Sequence, residues 1–201
     1  IEHKKKSKKI VSVLDINADE LFQIRLNQVS KYYLIETAFN GRNYALLFLD
    51  IESKSLITHI INPSGERINK VIRKLDREGI QYFLSHISHS NNYTGYNQYL
   101  HEIGKDGFIL MLNTVEKNLN TCQVLKISSD SMSKTAFYTF MTESPIYESS
   151  FLGQTKSQFY LSFEINGKSK GQFFTETIAL NKGNLNSIYE IQQLKDQDYF
   201  F

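Results

Sequence analysis

The chain has 201 residues, 41% hydrophobic and 22% charged, with a formal net charge of +2. That is enough for one ordinary domain of roughly 200 residues with a substantial buried core. The composition excludes collagen, a disulfide scaffold and a fully disordered chain, and the single cysteine, Cys122, excludes an internal disulfide. No apolar run approaches the roughly 18 residues that span a bilayer. The basic start, Ile1-Glu2-His3-Lys4-Lys5-Lys6, is not followed by the long apolar stretch of a leader. Because it begins at Ile1 rather than Met, the chain is expected to be a processed form, its leader already removed, or a piece of a longer protein.

Residues 1–9, with Lys4, Lys5, Lys6, Lys8 and Lys9, read as a basic flexible tail. Residues 10–201 read as a single β-rich domain. Val11 and Val13 alternate with smaller neighbours, and Leu21 to Leu26 alternates again, so two short strands are expected. Tyr32 to Ala38 is β-rich, Asn40-Gly41 is a turn signal, and Tyr44 to Ile51 is a second run. Glu52-Ser53-Lys54-Ser55 turns the chain into a third run, Leu56 to Ile61. Three runs joined by tight turns make an antiparallel meander.

Asn62-Pro63-Ser64-Gly65 then breaks the pattern. Ile68, Val71, Ile72 and Leu75 follow at helical spacing, with Ser64 as N-cap and Gly79 as terminator, so the periodicity predicts one short helix near 66–77. Ile80 to Ile87 reads as β-like. Residues 88–98 are polar and turn-prone and read as a loop. Gln98 to Ile103 reads as a short strand. The meander then recurs as Gly107 to Val115, Gln123 to Ile127 and Lys134 to Met141. It recurs again as Gln158 to Ile165, Gln172 to Leu180 and Leu185 to Ile191.

Lys31-Tyr-Tyr-Leu-Ile-Glu, Gly107-Phe-Ile-Leu-Met-Leu and Gln158-Phe-Tyr-Leu-Ser-Phe open the three units, with Leu34, Leu110 and Leu161 in matching places. A strand-built repeat of about 50 residues signals propellers or arrays. The units at 31–62, 107–141 and 158–191 resemble β-propeller blades. The resemblance implies a fourth, weaker strand for each unit, supplied by the segments between them. The expected fold is therefore all-β: repeated antiparallel meanders, propeller-like and partial or minimal, or alternatively a β-sandwich.

Chemistry-bearing motifs are sparse. Gly-x-Ser-x-Gly and the phosphate-binding glycine loops do not occur in the sequence. His86 and His89 are candidate metal ligands, with His101 and Cys122 further on. On a strand, positions three apart face opposite sides, so the pair needs a turn at Ser88 to converge. Cys122 lacks local activating neighbours and reads as an inert thiol. Asp50 and Glu52, beside a turn, read as solvated carboxylates.

Arg67, Lys70, Arg73, Lys74 and Arg77 form a candidate anion-binding face on the expected helix, diluted by Glu66, Asp76 and Glu78. A net charge of +2 is well short of a dedicated nucleic-acid domain. Tyr93, Tyr96 and Tyr99, in or beside the expected loop, are candidate partner contacts, because loop tyrosines act as rigid anchors at interfaces.

The expected function is a non-enzymatic interaction module binding a protein partner or neighbouring domain through loop surfaces, with no cofactor. One alternative is a nucleic-acid or anionic-surface binder using the basic tail and the helix near 66–77. Another is a carbohydrate-active enzyme or carbohydrate binder, with Asp50, Glu36, Glu164 and Glu176 as candidate acids.

Overall fold

A computed structural model describes residues 9–15, 17–26, 32–89, 98–116, 119–129, 136–143, 145–156, 158–166, 173–181 and 184–194. The expected all-β class is what it shows. Two strands come first, β1 (Lys9–Leu14) and β2 (Glu20–Leu26), paired antiparallel. Asp15 closes the hairpin, its Oδ1 accepting from the backbone N–H groups of Asn17 and Asp19. Lys9 thus belongs to a strand and not to the tail, whose residues 1–8 lie outside the described ones.

The first four-stranded sheet contains β3 (Tyr32–Phe39), β4 (Tyr44–Asp50), β5 (Ser55–Ile61) and β6 (Arg67–Lys74), side by side in chain order. Its turns are built by their own side chains. Asp50 Oδ1 accepts from the N–H groups of Glu52 and Ser53 between β4 and β5. Asn62 Oδ1 accepts from Ser64 and Glu66 between β5 and β6, with Gly65 at φ 83°. A helix, α1 (Arg77–His89), follows.

The second sheet holds β7 (Leu100–Glu102), β8 (Gly107–Glu116), β9 (Leu119–Ser128) and β10 (Ala136–Thr142). The third holds β11 (Ile146–Gln154), β12 (Gln158–Asn166), β13 (Phe173–Asn181) and β14 (Asn184–Leu194), again in chain order. The segments between the expected triads do supply the fourth strands: β6, β7 and β11.

Among the described residues one short helix is present, but not near 66–77. Asn62-Pro63-Ser64-Gly65 makes a hairpin turn and residues 67–74 run as strand β6. The helical spacing of the apolar residues there has a β explanation. A bulge opposite Ile60 and Ile61 inserts Ile68 as an extra residue and breaks the two-residue alternation. Ile72, expected on a buried helical face, is 52% exposed.

The helix covers the stretch that read as β-like. Asp76 caps it, its Oδ1 accepting from Gly79 N–H at 2.7 Å while its carbonyl accepts from Ile80 N–H. Ile80, Phe83, Leu84 and Ile87 stand at helical spacing, and Phe83 is buried.

The backbone falls into two compact units. One holds β1–β6, α1, the short segment 104–107 and Ser129; the other holds nearly all of β7–β14. In the first unit, Tyr32, Leu46, Phe48, Ile57 and Ile61 form a core with Val11 and Phe22 of the hairpin packed on it. In the second, Ile103, Ile109, Met111, Cys122, Val124 and Phe140 share a core with Phe159, Leu161, Phe163 and Ile165.

The alignment of the three units is corrected by one strand. Leu34 lies on β3, the first and outermost strand of its sheet, and is 42% exposed. Leu110 and Leu161 lie on the second strands, β8 and β12, and are buried. The second strand of the first sheet is β4, whose Ala45-Leu46-Leu47-Phe48-Leu49-Asp50 matches in sequence pattern Phe108-Ile-Leu-Met-Leu-Asn113 and Phe159-Tyr-Leu-Ser-Phe-Glu164. Leu47, not Leu34, is the counterpart.

Candidate functional site

The five candidate cations are not on one helix. Arg67, Lys70, Arg73 and Lys74 lie on β6, the edge strand of the first sheet, and Arg77 opens α1. Arg67, Lys70 and Lys74 are exposed, and Lys74 Nζ donates to the Ser53 carbonyl at 2.8 Å. Lys70 N–H is met at 2.7 Å by Asn69 Oδ1. Charges and a self-satisfied N–H on an edge strand discourage further strand pairing.

The three candidate tyrosines separate. Tyr93 and Tyr96 lie outside the described residues. Tyr99 is buried, which removes it from a contact surface. Its carbonyl accepts from Met111 N–H at 2.8 Å, extending the β7–β8 pairing by one position.

His86 and His89 lie in the last turn of α1, so their backbone positions fall on one helical face without any turn at Ser88. The side chains of this turn lie outside the described ones. Among the described residues, no group of three or more His, Cys, Asp or Glu could hold a metal ion. No helix among them is long and apolar enough to cross a membrane.

The candidate carboxylates sit in separate settings. Asp50 is occupied by its turn, with Ser53 Oγ donating to Oδ2 at 2.6 Å in addition to the two backbone donors. Glu36 is half-buried on β3. The ladder sets Glu164 opposite Thr175 and Glu176 opposite Phe163, so these neighbouring register positions alternate between the two faces of the third sheet.

Two polar groups to which sequence reasoning gave no role, Asn40 and His59, are more informative. Asn40, read only as half of a turn signal, is buried. Its Oδ1 accepts from the N–H groups of Arg42 and Asn43, and its Nδ2 donates to Ser129 Oγ at 2.9 Å and to the Gly107 carbonyl at 3.4 Å.

His59 is buried on central strand β5. Its Nε2 shares a hydrogen bond of 3.1 Å with Tyr32 Oη, and Phe48 stands edge-on to its ring at 5.5 Å. Its Nδ1 is buried with no hydrogen-bond partner among the described residues. Burial, then Arg67 and Lys70, push the imidazole down from 6.5 to about 4. A single ionisable residue inside the apolar run Leu56–Ile61 was the available signal.

His101, on β7, is buried beside Phe151. Burial lowers its pKa against an opposing hydrogen bond to the Gln98 backbone and the Glu102 charge. Cys122 is fully buried, and burial pushes its thiol up to about 12 against a hydrogen bond with Ser149.

With this geometry in view, the chain belongs to a family of unknown function (DUF6770), whose pattern matches residues 3–201. No curated protein and no solved structure shows significant similarity to it.

Proposed function

We propose that the chain is a non-enzymatic β-rich interaction module, built from propeller-like units, that binds a protein partner through its loop surfaces. The observation that carries this reading is repetition. Three four-stranded meanders follow one another in chain order, and a four-stranded meander is the unit of a propeller blade. Such scaffolds present their connections as recognition surfaces on a fixed frame. Tyr93 and Tyr96 supply the contact side chains in this reading, since tyrosine anchors interfaces at little entropic cost.

The test begins with the chain immobilised against an extract of its source cells. The retained partner is then purified and titrated against the chain by calorimetry, beside a Tyr93→Ser/Tyr96→Ser variant. A tenfold or greater weakening with unchanged circular dichroism supports the reading. Equal binding by the variant, or a substrate turnover abolished by one polar substitution, overturns it. Binding that collapses between low and moderate salt and is lost on charge reversal at Arg73 and Lys74 replaces it with an anionic partner. Small-angle scattering bears on the propeller part: a compact monomer supports units closed within the chain, and an elongated or associated particle counts against it.

A further inference from the structure

We propose that His59 makes the β1–β2 hairpin an acid-sensitive latch: protonation of its ring releases the hairpin from the first sheet while the sheet itself stays formed. The inference starts from the ladder. Tyr32 is opposite Asp50, Phe48 opposite Ile57, Leu46 opposite His59 and Tyr44 opposite Ile61, so these residues share one face of the sheet. That face is the one covered by the hairpin, through Val11 and Phe22, with the Phe22 ring edge-on to Tyr44 at 5.3 Å. The hairpin has two strands that pair with each other and with no strand of the sheet. Among the described residues, side-chain packing is therefore what attaches it. An isolated two-stranded hairpin is marginal, so its order depends on that packing.

His59 is the imidazole on this face, beside Leu46 and Phe48, and is only 8% exposed. The neutral ring meets this setting in the tautomer whose Nε2–H donates to Tyr32 Oη, which leaves Nδ1 without a hydrogen to place. Protonation puts a hydrogen on both nitrogens. The Nδ1 hydrogen then points into a buried setting with no acceptor among the described residues, and an unpaired buried charge is strongly unfavourable.

The surroundings do not compensate. From β3 the facing group is the Tyr32 phenol. From β4 they are Leu46 and Phe48, and the hairpin side chains packed on this same face are Val11 and Phe22. From β6 the charges are Arg67 and Lys70, both of the wrong sign. Asp50 shares the face, but its carboxylate is held in the β4–β5 turn by Glu52 and Ser53. Asp15 is likewise occupied within its own turn. Lifting the hairpin lets water reach the ring, so proton uptake and opening are linked.

Hydrogen exchange read by mass spectrometry on the whole chain tests this. With His59 at about 4 when covered and no higher than 6.5 when hydrated beside Arg67 and Lys70, hairpin opening rises by up to about 30-fold between pH 7.5 and pH 5, after correction for intrinsic exchange. Amides of β4 and β5 keep their protection over the same range. In His59→Gln, the hairpin loses this pH response.

Hairpin protection that is flat with pH overturns the proposal, as does parallel loss of protection in β4 and β5. Should His59→Gln fail to fold, a nuclear magnetic resonance titration of the unmodified chain still decides. A His59 ring titrating near 6.5 in the folded protein overturns the latch, and one titrating near 4 sustains it.

Discussion

Asn40 shows how one side chain organises three segments. Its carbonyl oxygen holds the β3–β4 turn through Arg42 and Asn43, and its amide reaches Gly107 and Ser129. Asn40→Ala removes all four bonds and leaves buried donors and acceptors unmet. The expected loss is about 2–3 kcal/mol, read as a lower urea midpoint at unchanged slope. A variant within 0.5 kcal/mol of the parent, about the size of an ordinary surface substitution, would contradict this role. Two glycines give a matched comparison. Gly41 and Gly65 have φ of 82° and 83°, and a Cβ added at Gly41 would meet nothing within 4 Å. At Gly65 it would lie 3.3 Å from Phe22 Cδ2. Gly41→Ala carries backbone strain alone, about 1 kcal/mol. Gly65→Ala adds displacement of the Phe22 ring, so it should cost roughly 1 kcal/mol more, measured by denaturation side by side. Equal costs would mean that the hairpin yields freely at Phe22. Neither effect is visible in sequence, where Asn40-Gly41 is simply a turn signal and Ser64 reads as a helix N-cap.

At the scale of elements, the strands were legible because turn chemistry and β-rich runs agreed. Asn40-Gly41 and Glu52-Ser53-Lys54-Ser55 each mark a hairpin that the ladder confirms, whereas Asn62-Pro63, read as a break before a helix, turns a third. The helix was misplaced for a definite reason. The bulge at Ile68 gives β6 a false helical spacing, while Ile80, Tyr82, Phe83 and Ile87 carry β-favouring side chains on a true helical pattern. The Asp76 cap decides between them, and Asp76→Ala should cost about 1 kcal/mol with faster amide exchange confined to the first turn of α1. Unchanged exchange there would remove the cap from the account. The basic residues were legible as a cluster, but their role depended on the element. On an edge strand, Lys70 and Lys74 guard against pairing with another chain. The double variant Lys70→Val/Lys74→Val is therefore expected to associate at concentrations where the parent is monodisperse by light scattering. A variant that stays monodisperse would show that the bulge and Asn69 suffice to blunt the edge.

At the scale of the whole molecule, the repeat was readable but out of register by one strand, because Leu34 and Leu47 sit in equally β-rich runs and sequence does not show which strand is outermost. Position in the sheet separates them: an outer strand leaves Leu34 half-covered, while β4 is flanked on both sides and buries Leu47. The same logic fixes Cys122, which lies on β9 between β8 and β10, inside the core of the second unit. A thiol held up to about 12 and shut away from solvent can react only after the strands around it open. At pH 8, a thiol reagent should therefore label the folded chain at least about 5,000-fold more slowly than the denatured one, the factor that an opening free energy above about 5 kcal/mol imposes. The rate should climb steeply with urea, because that opening exposes the core the second and third sheets share. Labelling of the folded chain within seconds, with no dependence on urea, would place Cys122 at a surface and dissolve the core built around it.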